Sequence, residues 1–190
     1  MFSPSVKTIF ACIVLMLSVS CSYALTVLAL SDEQLAKTAE VIVVGQVLSA
    51  SYEIDAKDKD PYTRIHVRVS EYLKGKSPVR DIMLKTLGGV KGKMALLIPG
   101  AADFSRNEEV MLFLERRDDG SLFPVGMVLG KYNIYRDATT GRKVVLRLED
   151  GQGKYSAEPR EEVIRDLQPE QKVYFDDFRK KIREIVDRRN

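Results

Sequence analysis

Apolar positions along this chain change period several times, and each change marks an element. Residues 8–19 form one almost unbroken apolar run (Ile9, Phe10, Ala11, Ile13, Val14, Leu15, Met16, Leu17). Ser31-Asp32-Glu33-Gln34 then carries a helix-start signal, with Ser31 as N-cap and Gln34 closing a capping box. Leu30 and Leu35 stand where a hydrophobic staple needs them. The helix is short, over residues 32–39, because the next residues switch to β-branched chemistry. Residues 40–48 read as a strand buried at its start, with Gly45 marking a bulge or tight bend.

Residues 62–73 alternate with period two. Ile65, Val67 and Val69 face one way, and Arg64, His66, Arg68 and Ser70 the other. Shorter strands are predicted over 81–87, 93–98 and 121–125, with Gly88-Gly89, Pro99-Gly100 and Asp118-Asp119-Gly120 as turns. Residues 109–115, with Val110-Met111-Leu112-Phe113-Leu114 inside them, are too apolar for anything but the interior. A last hairpin joins 131–136 to 143–148. After Gly153 the period becomes helical: a short stretch follows Pro159, and a longer helix runs from Pro169 to about Arg188. Val173, Tyr174, Phe178, Ile182 and Ile185 form its apolar stripe, which reads as a helix packed on the strands. Seven or so strands with helices at both ends predict one mainly β domain, a barrel or sandwich.

The leading run changes the picture of where the protein works. Lys7 precedes it, no acid accompanies it, and Ser22-Tyr23-Ala24 suits signal peptidase, so residues 1–24 read as a secretory signal peptide. At roughly 12 residues the apolar core falls short of the ~20 that a membrane span needs. An uncleaved anchor would have to borrow Leu25 to Leu30. The expected organisation is therefore leader 1–24, barrel 25–153 and C-terminal helical segment 154–190. The expected destination is periplasmic or extracellular.

Both cysteines, Cys12 and Cys21, lie within the leader, so cleavage after Ala24 leaves no thiol and no disulfide. A domain of ~166 residues can dispense with staples, since it buries roughly 70% of its unfolded surface. Lipidation at Cys21 is the alternative, giving a membrane-anchored lipoprotein; there Ser20 suits position −1, but Leu17 sits one residue too early. Charge is nearly balanced, with 30 Lys and Arg against 27 Asp and Glu. Such a chain has no strong electrostatic claim on nucleic acid or on an anionic membrane.

Little in the sequence assembles into catalytic or metal chemistry. His66 is the sole histidine, and its neighbours Arg64 and Arg68 make it a poor partner for a carboxylate. One histidine and no mature thiol give zinc too few ligands. Asp55, Asp58 and Asp60 have calcium-like spacing, but Lys57 and Lys59 interleave and the turn glycine is missing. Gly88-Gly89-Val90-Lys91-Gly92-Lys93 is a turn rather than a phosphate loop, because Leu87 replaces the first glycine and Met94 the Ser or Thr. Glu108-Glu109 and Asp118-Asp119 are adjacent carboxylates, the only material for an unrecognised carboxylate-dependent hydrolase. No catalytic residue, metal or cofactor is expected.

Ala39-Glu40-Val41-Ile42-Val43-Val44-Gly45-Gln46-Val47, Val67-Arg68-Val69-Ser70-Glu71-Tyr72-Leu73-Lys74-Gly75 and Gly88-Gly89 carry a resemblance. Phe104, Asn107 to Leu114 and Gly130-Lys131-Tyr132-Asn133-Ile134 continue it. Over residues 35–148 the chain resembles a family of exported bacterial proteins of uncharacterised role. These carry a domain similar to the tissue inhibitors of metalloproteinases. That resemblance implies an OB-like β-barrel and a binding role. It does not carry over protease inhibition, since the inhibitors use an N-terminal cysteine where cleavage here leaves Leu25-Thr26-Val27. A metalloprotease inhibitor-like protein is kept as an alternative.

On an OB-like barrel, basic and aromatic side chains on an exposed strand face are the expected ligand contacts. Arg64, His66 and Arg68 make that row, with Tyr62, or alternatively Tyr72, as its aromatic member and Lys85 extending it. The expected function is a non-enzymatic exported binding module whose partner is a protein or an envelope polymer rather than nucleic acid.

Overall fold

The computed structural model describes residues 30–54, 61–75, 77–91, 94–147, 167 and 171–188. Residues 1–29 with Cys21, residues 55–60, and residues 148–166, which include the start of the short helical stretch expected after Pro159, lie outside them. Helix α1 (Asp32–Thr38) starts with the expected capping box: the Ser31 hydroxyl accepts from the Gln34 N–H, and the Gln34 side chain accepts from the Ser31 N–H. At its other end the Lys74 ammonium donates to the Ala36 and Ala39 carbonyls, satisfying acceptors that a helix terminus leaves open.

Ten strands follow in the described residues. They are β1 (Val41–Ile54), β2 (Pro61–Lys74), β3 (Asp81–Leu87), β4 (Gly89–Lys91), β5 (Met94–Leu96), β6 (Glu109–Arg116), β7 (Leu122–Pro124), β8 (Lys131–Arg136), β9 (Lys143–Arg147) and β10 (Val173–Tyr174). The first two are each 14 residues long, so the strand expected over 40–48 runs on to Ile54, while that expected over 62–73 is matched closely. Their length follows from antiparallel pairing along almost the whole of both, from Ile42↔Lys74 to Ile54↔Pro61. Gly45 sits at one of three register shifts in this ladder. A Cβ there would come within 2.5 Å of the Arg68 carbonyl oxygen, so only glycine allows the approach.

The sheet closes on itself. Its order β1-β2-β3-β7-β6 returns to β1, because β6 pairs with β1 as well as with β7. The seam between β3 and β7 is parallel and rests on one pair, Leu84↔Leu122. Val43, Val47, Ile65, Val67, Val69, Leu84, Val110, Leu112 and Leu114 fill the space inside this ring of five strands.

Alternate residues of β1 and β6 face the other way. Ile42, Val44, Met111 and Phe113 form a second core with α1, β8 and helix α2 (Phe175–Asp187). The first half of β1 and most of β6 are thus buried on both faces, which is why those stretches read as continuous apolar runs. Tyr132 joins the second core as an aromatic link, its ring centroid 5.5 Å from Phe113 and 4.7 Å from Phe178.

The C-terminal helix begins later than expected. Val173 and Tyr174 pair with Val145 and Val144 as an added strand, and the helical turn starts at Phe175. No helix of the described residues is long and apolar enough to cross a membrane.

Candidate functional site: the outer face of β1, β2 and β3

Residues opposite one another across paired strands share a face, so the register defines this surface row by row. The rows are Glu53, Tyr62 and Leu87; Ser51, Arg64 and Lys85; Ser49, His66 and Met83; Gln46, Arg68 and Asp81. All four expected residues of β2 therefore line one face, and Lys85 joins them. Tyr72 does not. Register shifts after Arg68 turn it towards the interior of the ring, opposite Val43, and its hydroxyl donates to the Val79 carbonyl at 2.6 Å.

Each long cation of the row has a carboxylate beside it. Arg64 Nη2 lies 2.7 Å from Glu53, and Arg68 Nε lies 3.2 Å from Asp81. Lys85 Nζ lies 3.3 Å from Asp119, which reaches over from the turn between β6 and β7. His66 Nε2 is 3.4 Å from Asp81, the carboxylate that Arg68 also contacts. The acid comes from the next strand, where sequence neighbours give no warning of it. Three carboxylates thus stand against three permanent cations on this face, and its net charge is close to zero.

Tyr62 is the most enclosed member, 8% exposed. Its hydroxyl donates to Glu53 at 2.8 Å and accepts from Arg64 at 3.2 Å, while the Lys85 ammonium stands 4.8 Å above its ring. The ring is a fixed floor beneath Lys85 rather than an open stacking platform.

Sequence reasoning missed Glu53 and Asp81, and took Asp119 only as half of an adjacent carboxylate pair rather than as a member of this face. The first two were recoverable in principle, because fixing one pair of a regular hairpin fixes the others. Asp119 was not, since it depends on the ring closing.

The candidates Glu108 and Glu109 occupy separate ion pairs. Glu108 meets Lys131 at 2.8 Å, and Glu109 meets Lys143 at 2.6 Å. Among the described residues no group of three or more His, Cys, Asp or Glu side chains is placed to hold a metal. The aspartates at 55, 58 and 60 lie outside those residues, as does the end of the glycine-rich turn at Gly92-Lys93.

A cleft of about 500 Å³ lies between the start of α1 and the end of α2. There Asp32 accepts from the Tyr132 hydroxyl at 2.5 Å and from Lys181 at 2.7 Å, with Arg147 at 3.8 Å. Burial pushes the Asp32 carboxyl up, but the Lys181 and Tyr132 hydrogen bonds outweigh it and hold the group below its ordinary value. Burial and Asp32 together push the Tyr132 hydroxyl well above the ordinary tyrosine range. This cluster fastens α2 to α1.

Asp119 gives a prediction about acid. The Ser121 hydroxyl and N–H, then Lys85, lower its carboxyl from 3.8 to about 2. A depressed folded-state value stabilises above the unfolded value and is lost as pH falls through the folded one. Asp119→Asn is therefore expected to flatten the loss of stability between about pH 4 and pH 2. Urea midpoints at several pH values check this, and an unchanged slope would contradict it.

A scan against models of known protein families finds none that matches this chain, and a search of curated proteins finds no match.

Proposed function

We propose that this chain is an exported, non-enzymatic binding module built on an OB-like barrel, and that the outer face of β1, β2 and β3 recognises a protein or an envelope polymer. The five-strand closure supports the barrel assignment, since an OB-type barrel is a five-stranded Greek-key structure. The leader at residues 1–24 supports export.

One observation carries the binding assignment. Arg64 and Arg68 each stand against a carboxylate from a neighbouring strand, so their orientation is set before any partner arrives. A surface ordered in advance spends less conformational entropy on binding than loose lysines and arginines would. Its balanced charge also gives a polyanion little counterion-release gain.

The test is retention of envelope material by the immobilised protein. The double substitution Arg64→Ala/Arg68→Ala is expected to abolish retention, and Lys180→Ala on the exposed side of α2 to leave it intact. Equal retention by both variants would overturn the assignment.

A further inference from the structure

The chemistry of the same face narrows the partner. Resting on its assignment as the recognition surface, we propose that it binds an uncharged, polyhydroxylated chain, a neutral polysaccharide, laid along the strands. Three features converge on that ligand class.

The first is charge. An anionic polymer would meet the like charges of Glu53 and Asp81 beside Arg64 and Arg68, whose contacts of 2.7 and 3.2 Å are already made. A neutral chain leaves those pairs in place and bonds to their outward donors and acceptors.

The second is the distribution of polar groups. A sugar hydroxyl both donates and accepts, so it suits a surface where the two capacities alternate at short intervals. Ser49, Ser51 and Gln46 supply exposed hydroxyl and amide groups on β1. Arginine donors run along β2, and Asp81 ends the β3 column as an acceptor. The rows are about 6.7 Å apart, two residues of antiparallel strand, so four rows track roughly 20 Å of ligand.

The third is where apolar surface occurs. Met83 and Leu87 are 48% and 36% exposed on β3, with Lys85 between them. Two separated apolar contacts suit the C–H faces of sugar rings. A protein interface would ask instead for a contiguous desolvated centre.

The experiment is affinity electrophoresis of the full chain in gels containing dextran, glucomannan, N-acetylglucosamine oligomers or, as the polyanion, dextran sulfate. Retardation by at least one neutral polymer is expected, nearly independent of salt. Arg68→Ala and Ser51→Leu are each expected to weaken it by about tenfold or more, through lost charged hydrogen bonds or a blocked row. Circular dichroism of each variant separates lost binding from lost fold. Retardation by dextran sulfate alone, fading steeply with salt, overturns the proposal. So does the absence of retardation by every polymer. If an envelope protein is still captured in an Arg64- and Arg68-dependent way, the ligand class fails while the recognition face stands. If capture ignores both arginines, the face fails as well.

Discussion

Phe113→Ala is expected to lower the stability of the fold by about 3–5 kcal/mol, the range for emptying a large aromatic site in a packed core. Phe113 is fully buried on β6 and faces the second core, against Tyr132 and in one cluster with Leu35, Val128, Phe178 and Ile182. Strands, the 3-10 turn at Met127–Gly130 and both helices converge there, so no single element can shift to fill the void. With a whole domain stable by only about 5–15 kcal/mol, the loss should be visible as a large drop in urea midpoint. A cost under about 1 kcal/mol would mean that the two helices are not packed on β6 as described.

Lys131→Met comes next, with an expected cost of about 3–5 kcal/mol from breaking a buried ion pair on one side only. The Lys131 side chain is 2% exposed. Its ammonium lies 2.8 Å from Glu108, donates to the Asp103 carbonyl, and stands 4.5 Å over the Phe104 ring. One cation thereby ties the segment before β6 to the start of β8. Removing it strips a largely buried carboxylate of its counter-charge. The double variant Lys131→Met/Glu108→Gln should recover part of the loss, because the uncompensated charge goes too. A double-mutant cycle in urea measures the difference, and simple additivity of the two single costs would refute the coupling.

Local chemistry in the sequence was legible wherever neighbours in the chain decide the outcome. The Ser31–Gln34 capping box needs four residues, and the alternation of β2 needs about eight. The irregularity at Gly45 needs only a glycine within a strand pattern. The row Tyr62, Arg64, His66 and Arg68 belongs to this class, since period two alone puts its members on one face.

What the sequence hid depends on partners far along the chain. Val173 and Tyr174 read as helix because their spacing matches Phe178 and Ile182, yet they pair with Val145 and Val144. Tyr72 was grouped with the outer row because register shifts in β2 cannot be read from its own residues. The charge balance of the site was hidden for the same reason. Glu53, Asp81 and Asp119 come from three different segments, and only the assembled sheet sets them beside the cations. The unbroken apolar run of β6 signalled burial. It could not signal that the burial is double, with one core on each side.

The closure of β1 on β6 also has a kinetic side. Paired residues run from Gln46↔Glu109 to Val41↔Leu114, so more than sixty positions separate every partner from its mate. Such loops cost entropy before their contacts return anything, and chains dominated by them fold slowly. The hairpin of β1 and β2 can form as soon as both strands exist, but neither core is complete until β6 arrives. Helix α2, at the far end of the chain, must still dock on Phe113 and Tyr132 after that. Both cores are therefore completed late, after β6 and then α2 have formed. Under the export proposed above, that delay would keep the chain threadable through a narrow translocation pore.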